Sequence, residues 1–278
     1  MILVTIIWGA SYIFIKTALQ EMTPSTFIFL RYFIASMCML TVLAFYRPEF
    51  KRLDVIRGVI LGLLLVAINF FQTVGLQTIS ASLSAFLTGV SVVFVLLIKL
   101  IAQKKVPKSL DLVMVSACVA GLGLVTGGSG VTWGAGVLYT LLCAFFVALH
   151  TYALSDYAAE GSTFTLTLLQ MTVLAVISGF FTFVFDGDLR LPTQTATKWS
   201  LILCAVCCST IAFGMQTYAQ KYISAFKASI ILTLEPIFTV FFARLTLNEV
   251  LQPQFYVGAC VILGAITLMN VGQQARTE

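Results

Sequence analysis

Hydrophobic and polar positions along this chain are arranged in long blocks. Apolar stretches of roughly 20 residues recur from one end to the other and are separated by short polar or charged connections. A helix of about 20 apolar residues crosses a hydrocarbon core about 30 Å thick, whereas membrane β-strands alternate over about 10 residues. The pattern predicts an all-α polytopic membrane protein with ten transmembrane helices. We place these spans at 2–19, 25–46, 56–77, 80–101, 110–127, 132–155, 163–185, 198–220, 225–246 and 254–272.

Composition agrees with this class of protein. Of the 278 residues, 60% are hydrophobic and 10% are charged, whereas soluble domains carry about 25% charged residues. Met1 leads directly into an apolar stretch with no charged region or cleavage site, so we interpret the first segment as a retained span. The seven cysteines all lie in apolar segments, and we expect buried thiols rather than a metal site or a cofactor.

The basic residues predict how the chain is oriented. Connections after even-numbered spans carry eleven of the sixteen Lys and Arg residues, and cytoplasmic loops retain such residues. We therefore expect a multi-pass protein of a bacterial-type inner membrane with both termini in the cytoplasm. The net charge of +5 is explained by this orientation, and no nucleic-acid partner is expected.

Two distant segments of the chain resemble each other. The stretch "QTVGLQTISASLSAFLTGVSVVFVLLI" from Gln72 aligns without a gap with "QTYAQKYISAFKASIILTLEPIFTVFF" from Gln216. The alignment predicts two halves of five helices, residues 1–128 and 129–278. Because each half has an odd number of helices, the second is inverted in the membrane, and such inverted repeats enclose a central substrate cavity in transporters.

Several motifs identify a family resemblance. "IIWGASYIFIKTAL", "FLRYFIA", "LEPIFTVFFARLTLNE" and "GACVILGAI" resemble the EamA-type family of the drug/metabolite transporter superfamily. The resemblance implies a ten-helix transporter built from two repeats. The abundance of aromatic residues most resembles the branch of bacterial aromatic amino acid exporters.

Polar and aromatic side chains within the spans are the candidates for the substrate site. In lipid such groups are expected to face the bundle interior or a cavity, and residues three or four apart share a helix face. For Ser and Thr, hydrogen bonding between helices is the alternative role, and for His150 we favour a structural role over substrate binding. The candidate substrate-binding residues are Trp8, Tyr12, Asn69, Gln72, Ser84, Thr88, Tyr139, His150, Phe213 and Gln216.

Four further residues are candidates for structural or coupling roles: Lys16, Arg31, Glu235 and Pro236. Glu235 is the one acid deep in a span, and we weigh two interpretations. It pairs with Lys16, Arg31 or main-chain N–H groups and shapes one wall of the cavity, or it exchanges a proton during transport. We favour the structural pairing, with Pro236 bending the span beside it, and hence facilitated transport or exchange.

Function follows from these features. No catalytic or nucleotide-binding motif is visible, so we do not expect an enzyme. We expect a monomer in the lipid bilayer that exports a small-molecule substrate by alternating access. The preferred substrate is a neutral or zwitterionic metabolite, above all an aromatic or large neutral amino acid. The alternatives are a proton-coupled exporter of cationic drugs or nucleosides, and a membrane scaffold without transport.

Overall fold

The computed structural model describes residues 1–45, 50–104, 133–187, 189, 191–248 and 253–274, with seven further positions between 105 and 132. The described part of the chain is helical and contains no strand. Within it, seven helical segments are long and apolar enough to cross a membrane, and Ile2–Ala18 and Pro253–Ala265 are shorter apolar helices. The predicted fifth span, 110–127, lies mostly outside the described residues.

The helices follow the predicted spans closely, with their ends shifted by a few residues. They are α1 (Ile2–Ala18), α2 (Pro24–Phe45), α3 (Arg52–Leu76), α4 (Ala81–Gly89), α5 (Ser91–Gln103), α6 (Ala135–Glu160), α7 (Thr163–Phe181), α8 (Thr195–Leu203), α9 (Ala212–Gln220), α10 (Ala225–Leu232), α11 (Glu235–Thr246) and α12 (Pro253–Gln274).

The outward faces of these helices are apolar. Leu63, Val176 and Phe241 expose 51%, 65% and 58% of their surface, although large contiguous apolar surfaces are unfavourable in water. The bundle therefore carries its hydrophobic surface outside as well as inside, as a protein does when lipid is its solvent.

Two predicted spans are each broken into two helices at equivalent positions of the aligned segments. The first breaks at Val90, between α4 and α5, and the second at Thr233 and Leu234, between α10 and α11. An equivalent main-chain hydrogen bond between residues three apart follows each break. Val93 N donates to Val90 O at 2.9 Å, and Ile237 N donates to Leu234 O at 3.1 Å.

These breaks correct the interpretation of Pro236. The first copy breaks without a proline, so a break at this position does not require one. It lies in the first turn of α11, where the missing N–H of proline leaves no helical hydrogen bond unmade. Pro236 is therefore near the start of a helix rather than deep inside one.

The predicted span 198–220 also departs from a regular α-helix. Residues Cys204–Ile211 form a π-helix between α8 and α9. A second π-helical turn, Thr182–Asp186, continues α7. π-Helical insertions are rare and often occur at functional sites, and the π-helix Cys204–Ile211 holds two residues that line the cavity described below.

Contacts between helices fix their relative directions. Tyr12 meets Gln72 and Lys16 meets the main chain of Ile79, so α1 and α3 run parallel. Arg57 at the start of α3 pairs with Glu160 at the end of α6 at 3.3 Å. At the other end of α3, Gly75 approaches Gly136 near the start of α6. Helix α6 is therefore antiparallel to α3 and to α1.

Carboxylates join two connections at the end of the bundle opposite to the Arg57–Glu160 pair. Glu21, between α1 and α2, accepts hydrogen bonds from the Thr193 hydroxyl and from the N–H groups of Thr193 (2.6 Å) and Gln194. Asp186 accepts from the hydroxyls of Thr23 (2.6 Å) and Ser25 (2.5 Å). The connection after α1 is thereby bound to the connection before α8.

The close approach of α1 to α11 generates a test of the packing. A Cβ on Gly9 would lie 2.6 Å from Phe238 Cβ and 3.1 Å from the main-chain oxygen of Glu235, so Gly9→Ala must push the two helices apart. We expect a loss of about 1–3 kcal/mol in the free energy of unfolding, measured by thermal and chemical unfolding in detergent. Gly264→Ala is the control because a Cβ there meets nothing within 4 Å. Equal stability of both variants would contradict the packing described.

Glu21 generates a test based on pH. The hydroxyl and N–H donors of Thr193 hold the pKa of this carboxyl at about 2, below its ordinary value of 4.5. A depressed folded-state pKa means that the bonds stabilise the fold above pH 4.5 and that this contribution is lost as pH falls towards 2. We expect Glu21→Gln to have a lower melting temperature than the wild type at pH 7. The two melting temperatures should converge as the pH falls below 4.5. A difference that is constant across this range would contradict the assignment.

Candidate substrate-binding site

A cavity lies inside the bundle where elements of both predicted halves meet. Its volume is about 70 Å³, which is room for a few water molecules. Seven of the ten predicted substrate-binding residues line it: Trp8, Asn69, Gln72, Thr88, His150, Phe213 and Gln216. Gln72 and Gln216 occupy equivalent positions in the aligned segments, and both reach the same cavity.

One wall of the cavity is aromatic. The rings of Trp8 and Phe213 pack with their centroids 4.9 Å apart. The indole Nε1 of Trp8 donates a hydrogen bond of 2.9 Å to the main-chain oxygen of Cys208, which lies in the π-helix. The π-helix thus fixes the orientation of a ring that faces the cavity.

Arg31 is a second cavity-lining residue that the π-helix positions. The side chain is buried, with 4% of its surface exposed. Its Nε donates to the Ser209 hydroxyl at 2.7 Å, and the guanidinium lies 5.0 Å from the centre of the Tyr32 ring. Among the described residues, no carboxylate lies within 4.0 Å of it. Arg31 is therefore a buried cation without a counter-ion in the described part of the chain.

Glu235 lines the same cavity and is likewise without a cationic partner within 4.0 Å among the described residues. Its carboxyl group lies beside the hydroxyl of Tyr12. That hydroxyl accepts a bond of 3.0 Å from Gln72 Nε2, which leaves its hydrogen for the carboxylate.

The predicted pairing of Glu235 with Lys16 or Arg31 is therefore wrong. Lys16 donates to the main-chain oxygen of Ile79 at 2.9 Å, and Arg31 donates to Ser209. The depth of a residue in its span, on which the pairing was based, does not determine the direction of its side chain. The two charged side chains face one cavity but do not satisfy each other.

Two hydrogen-bonded pairs complete the polar part of the cavity wall. Tyr32 donates to Asn69 Oδ1 at 2.8 Å. His150 Nε2 lies 2.8 Å from Gln170 Oε1. Because Gln170 Nε2 donates to the Leu166 carbonyl, its oxygen faces the histidine, and His150 is the donor. His150 therefore has both a place in the cavity wall and a structural partner.

Three predicted residues are not in the cavity wall. Tyr12 is buried behind the cavity wall, where it neighbours two residues of the lining, Gln72 and Glu235. Ser84 is fully buried, and its hydroxyl has no hydrogen-bond partner in the described part of the chain. Tyr139 stacks on Phe71 at 6.1 Å. Helical spacing placed these residues on candidate faces, but it did not show which neighbour covers each face.

Sequence reasoning missed some residues that line the cavity, including Tyr32, Thr151 and Thr233. Tyr32 and Thr151 directly follow Arg31 and His150. Their positions next to a charged and a titratable residue within apolar spans were a signal that could have identified them.

The family assignment rests on a match to both halves of the chain. The model of the EamA-like transporter family matches residues 1–127 and again residues 134–271. The chain belongs to the EamA-like transporter family. It is a multi-pass membrane transporter, and the resemblance predicted from its motifs is confirmed at the level of the family.

Individual relatives of this EamA-family chain agree with that assignment. An uncharacterized transporter of Archaeoglobus fulgidus is 29% identical over 97% of this chain and 84% of its own length. The uncharacterized transporter YoaV of Bacillus subtilis is 23% identical over 94% of this chain and 92% of its own length. These names indicate transporters rather than enzymes, and they name no substrate.

One solved crystal structure superposes on this EamA-family chain with a TM-score of 0.75. The superposition covers 99% of this chain and 96% of the other chain, and the two sequences are 12% identical. At that identity the likeness shows the fold alone.

The anchoring of Trp8 by the π-helix generates a test. Trp8→Phe keeps a ring but removes the bond to Cys208, and we expect a loss of about 1 kcal/mol in the free energy of unfolding. Trp8→Ala also removes the packing on Phe213 and should cost about 3–5 kcal/mol. Trp199→Phe is the control, since Trp199 is 59% exposed. Equal effects of Trp8→Phe and Trp199→Phe on chemical unfolding in detergent would contradict the anchor.

Proposed function

We propose that this EamA-family transporter carries a small zwitterionic metabolite with an apolar body, with an aromatic or large neutral amino acid as the preferred substrate. The observation that carries the proposal is the pair of charged residues in the cavity wall. Arg31 and Glu235 both face the cavity, and neither has an ion-pair partner among the described residues.

The cost of burying charge is the physical basis of the proposal. An isolated ion in a low-dielectric interior costs several kcal/mol unless an opposite charge or several hydrogen bonds compensate it. A zwitterion supplies both missing charges at once: its carboxylate compensates Arg31, and its ammonium group compensates Glu235. A simple anion or a simple cation would leave one of the two residues uncompensated.

The apolar part of the substrate has a complementary surface. Trp8 and Phe213 form a fixed aromatic wall, and aromatic side chains favour offset or edge-to-face contact with another ring. This surface supports the resemblance to the branch of aromatic amino acid exporters.

The size of the cavity implies a conformational change. A volume of about 70 Å³ is well below the roughly 300–1,000 Å³ of typical ligand pockets. The structure therefore corresponds to a contracted state, and substrate binding requires the walls to separate. This requirement agrees with transport by alternating access.

Inverted repeats provide a mechanism for that separation. Helices α1 and α6, the first of each proposed half, run in opposite directions. The two aligned segments, which start at Gln72 and Gln216, break at equivalent positions. Ser80 and Ser224 cap the helices α4 and α10 in the same way. These features, with the two matches of the family model, support ten spans in two inverted five-helix halves, residues 1–128 and 129–278.

The direction of transport follows from the expected orientation. The end of the bundle that carries Lys51, Lys99 and Lys221 would face the cytoplasm of a bacterial-type cell. Both termini would lie on that side, and export would run from the lysine-rich end to the end at which Glu21 and Asp186 join their connections.

Proton-coupled export is the second candidate mechanism, and a specific observation favours it. Glu235 is a half-buried acid that faces the cavity and has no cationic partner among the described residues. An acid in this position can exchange a proton against the ammonium group of the substrate. The loss of the predicted pairing with Lys16 or Arg31 makes this alternative stronger than the sequence alone did.

The proposed substrate class is tested in proteoliposomes by competition against phenylalanine uptake. We expect phenylalanine to be carried, whereas phenethylamine, which lacks the carboxylate, and hydrocinnamate, which lacks the ammonium group, compete poorly. Arg31→Gln should remove the preference over phenethylamine, and Glu235→Gln should remove the preference over hydrocinnamate, each by about tenfold or more. Arg57→Gln is the control because its ion pair lies at the end of the bundle.

Two outcomes separate the alternatives. If no amino acid in a broad panel is carried or exchanged by the wild-type protein, the proposed substrate class is wrong. If Glu235→Gln abolishes uptake driven by a pH gradient but preserves exchange of labelled for unlabelled phenylalanine, Glu235 couples transport to protons.

A further inference from the structure

A second pocket lies near the central cavity, towards the lysine-rich end of the bundle. Its volume is about 370 Å³, within the range of small-molecule sites. It is formed between the ends of α5, α6 and α9 and the start of α10. The residues that matter for its chemistry are Lys99, Tyr152, Asp156, Gln220, Lys221 and Phe226.

Gln220 separates this pocket from the central cavity. Its Nε2 donates to the main-chain oxygen of Thr151 at 2.9 Å and to the Ser155 hydroxyl at 2.8 Å. Thr151 lines the central cavity, whereas Ser155 and Gln220 line the second pocket. The hydrogen bonds of one side chain therefore tie α9 to α6 at the boundary between the two spaces.

The amide oxygen of Gln220 is buried and lacks a hydrogen-bond donor among the described residues. The residue is 1% exposed, and its Oε1 has no hydrogen-bond partner in the described part of the chain. The orientation of the amide is fixed, because only its nitrogen can donate to the Thr151 carbonyl. A buried acceptor without a donor is costly and calls for an explanation.

The same feature occurs one helical turn away. Gln216 lies four residues earlier on α9, lines the central cavity and also has a buried Oε1 without a partner. Residues four apart lie on one face of a helix, about 6 Å from each other along its axis. The α9 face thus carries two buried acceptors in succession that have no partner among the described residues, one on a residue of each lining.

The remaining groups of the pocket have both signs of charge. Asp156 and the Gln220 oxygen can accept hydrogen bonds from an ammonium group. Lys221 and Lys99 can bind a carboxylate, although Lys99 also lies 5.5 Å from the centre of the Phe226 ring. Phe226 and Tyr152 offer aromatic surface. This combination is the chemistry of a zwitterion with an apolar body, as in the central cavity.

We infer that the second pocket is an additional substrate site, in which a zwitterionic substrate binds before it passes to the central cavity. The hydrogen bonds of Gln220 to Thr151 and Ser155 form the gate between the two sites. When the gate opens, the ammonium group moves from the Gln220 oxygen to the Gln216 oxygen. The identity of the ligand rests on the proposed function, whereas the existence of the gate does not.

The gate is tested by thiol labelling, which needs no substrate. Thr151→Cys places a thiol on the central side and keeps the main-chain acceptor, and Ser155→Cys places one on the pocket side. A membrane-impermeant maleimide is added to the lysine-rich face, and labelling is quantified by mass spectrometry of the peptide that carries each new cysteine. We expect rapid labelling at 155 and slow labelling at 151. Adding Gln220→Ala to Thr151→Cys should accelerate labelling at 151 by about tenfold or more.

Gln220→Glu provides a second gate variant, because it keeps the size of the side chain but removes both amide donors. It should also accelerate labelling at 151, and size-exclusion profiles show whether either variant folds. Labelling at 151 that is as fast with Gln220 as without it would overturn the gate. Failure to label Ser155→Cys would overturn the pocket as a space open to the lysine-rich side.

The substrate site is tested by transport from each side of the membrane. We expect Asp156→Asn to raise the half-saturating phenylalanine concentration several-fold when the substrate is added at the lysine-rich face, with no change from the opposite face. Glu160→Gln is the matched control, a carboxylate at the same end of the bundle but outside the pocket. Equal values for Asp156→Asn and wild type would overturn the second site, while Arg31→Gln would still report on the proposed function. If phenylalanine is not carried at all, the proposed function fails, and the labelling experiment still decides the gate.

Discussion

The structure depends on the requirement that a backbone in hydrocarbon satisfies its own hydrogen bonds. Regular helices meet this requirement, and departures from them are tolerated where they are buried in protein or line a cavity. Three departures occur around one space: the breaks at Val90 and at Thr233–Leu234, and the π-helix Cys204–Ile211. Each brings functional groups to the cavity, because a broken or widened helix exposes carbonyls and redirects side chains.

The π-helix shows how one such departure organises several side chains. Its Cys208 carbonyl holds the indole of Trp8, and its Ser209 hydroxyl holds Arg31. An aromatic surface from α1 and a cation from α2 are thereby fixed by one short stretch of the chain. Since both contacts involve the same stretch, a movement of α8 and α9 would displace the aromatic wall and the cation together. This coupling suits a site that must change shape when substrate enters.

Much of the architecture could be predicted from the sequence, because the solvent imposes a simple pattern. A span needs about 20 apolar residues, so the positions of the helices follow from composition along the chain. The cavity residues were also largely accessible, since polar groups in spans have few other places to lie. Seven of the ten candidates line the cavity for this reason. The breaks were not predictable in the same way, because Val90 lies in an apolar sequence that favours a continuous helix.

Directions of side chains were the least predictable feature, and Glu235 illustrates the reason. Its estimated depth in the membrane matched that of Arg31. Equal depth does not bring two side chains into contact, because each can point in any direction around its helix. The structure instead gives each charge a neutral neighbour, Tyr12 for Glu235 and Ser209 for Arg31.

The two aligned segments share some cavity residues and differ in others. Gln72 and Gln216 are equivalent in both copies, whereas Ser91 and Val92 of the first copy stand opposite Glu235 and Pro236. Symmetry between the copies allows a scaffold to exchange two similar conformations, but a substrate with two different ends needs a site whose walls differ. Under the proposed function, the charged residue that departs from the repeat lies where the cavity distinguishes the ammonium end of the substrate from its carboxylate end.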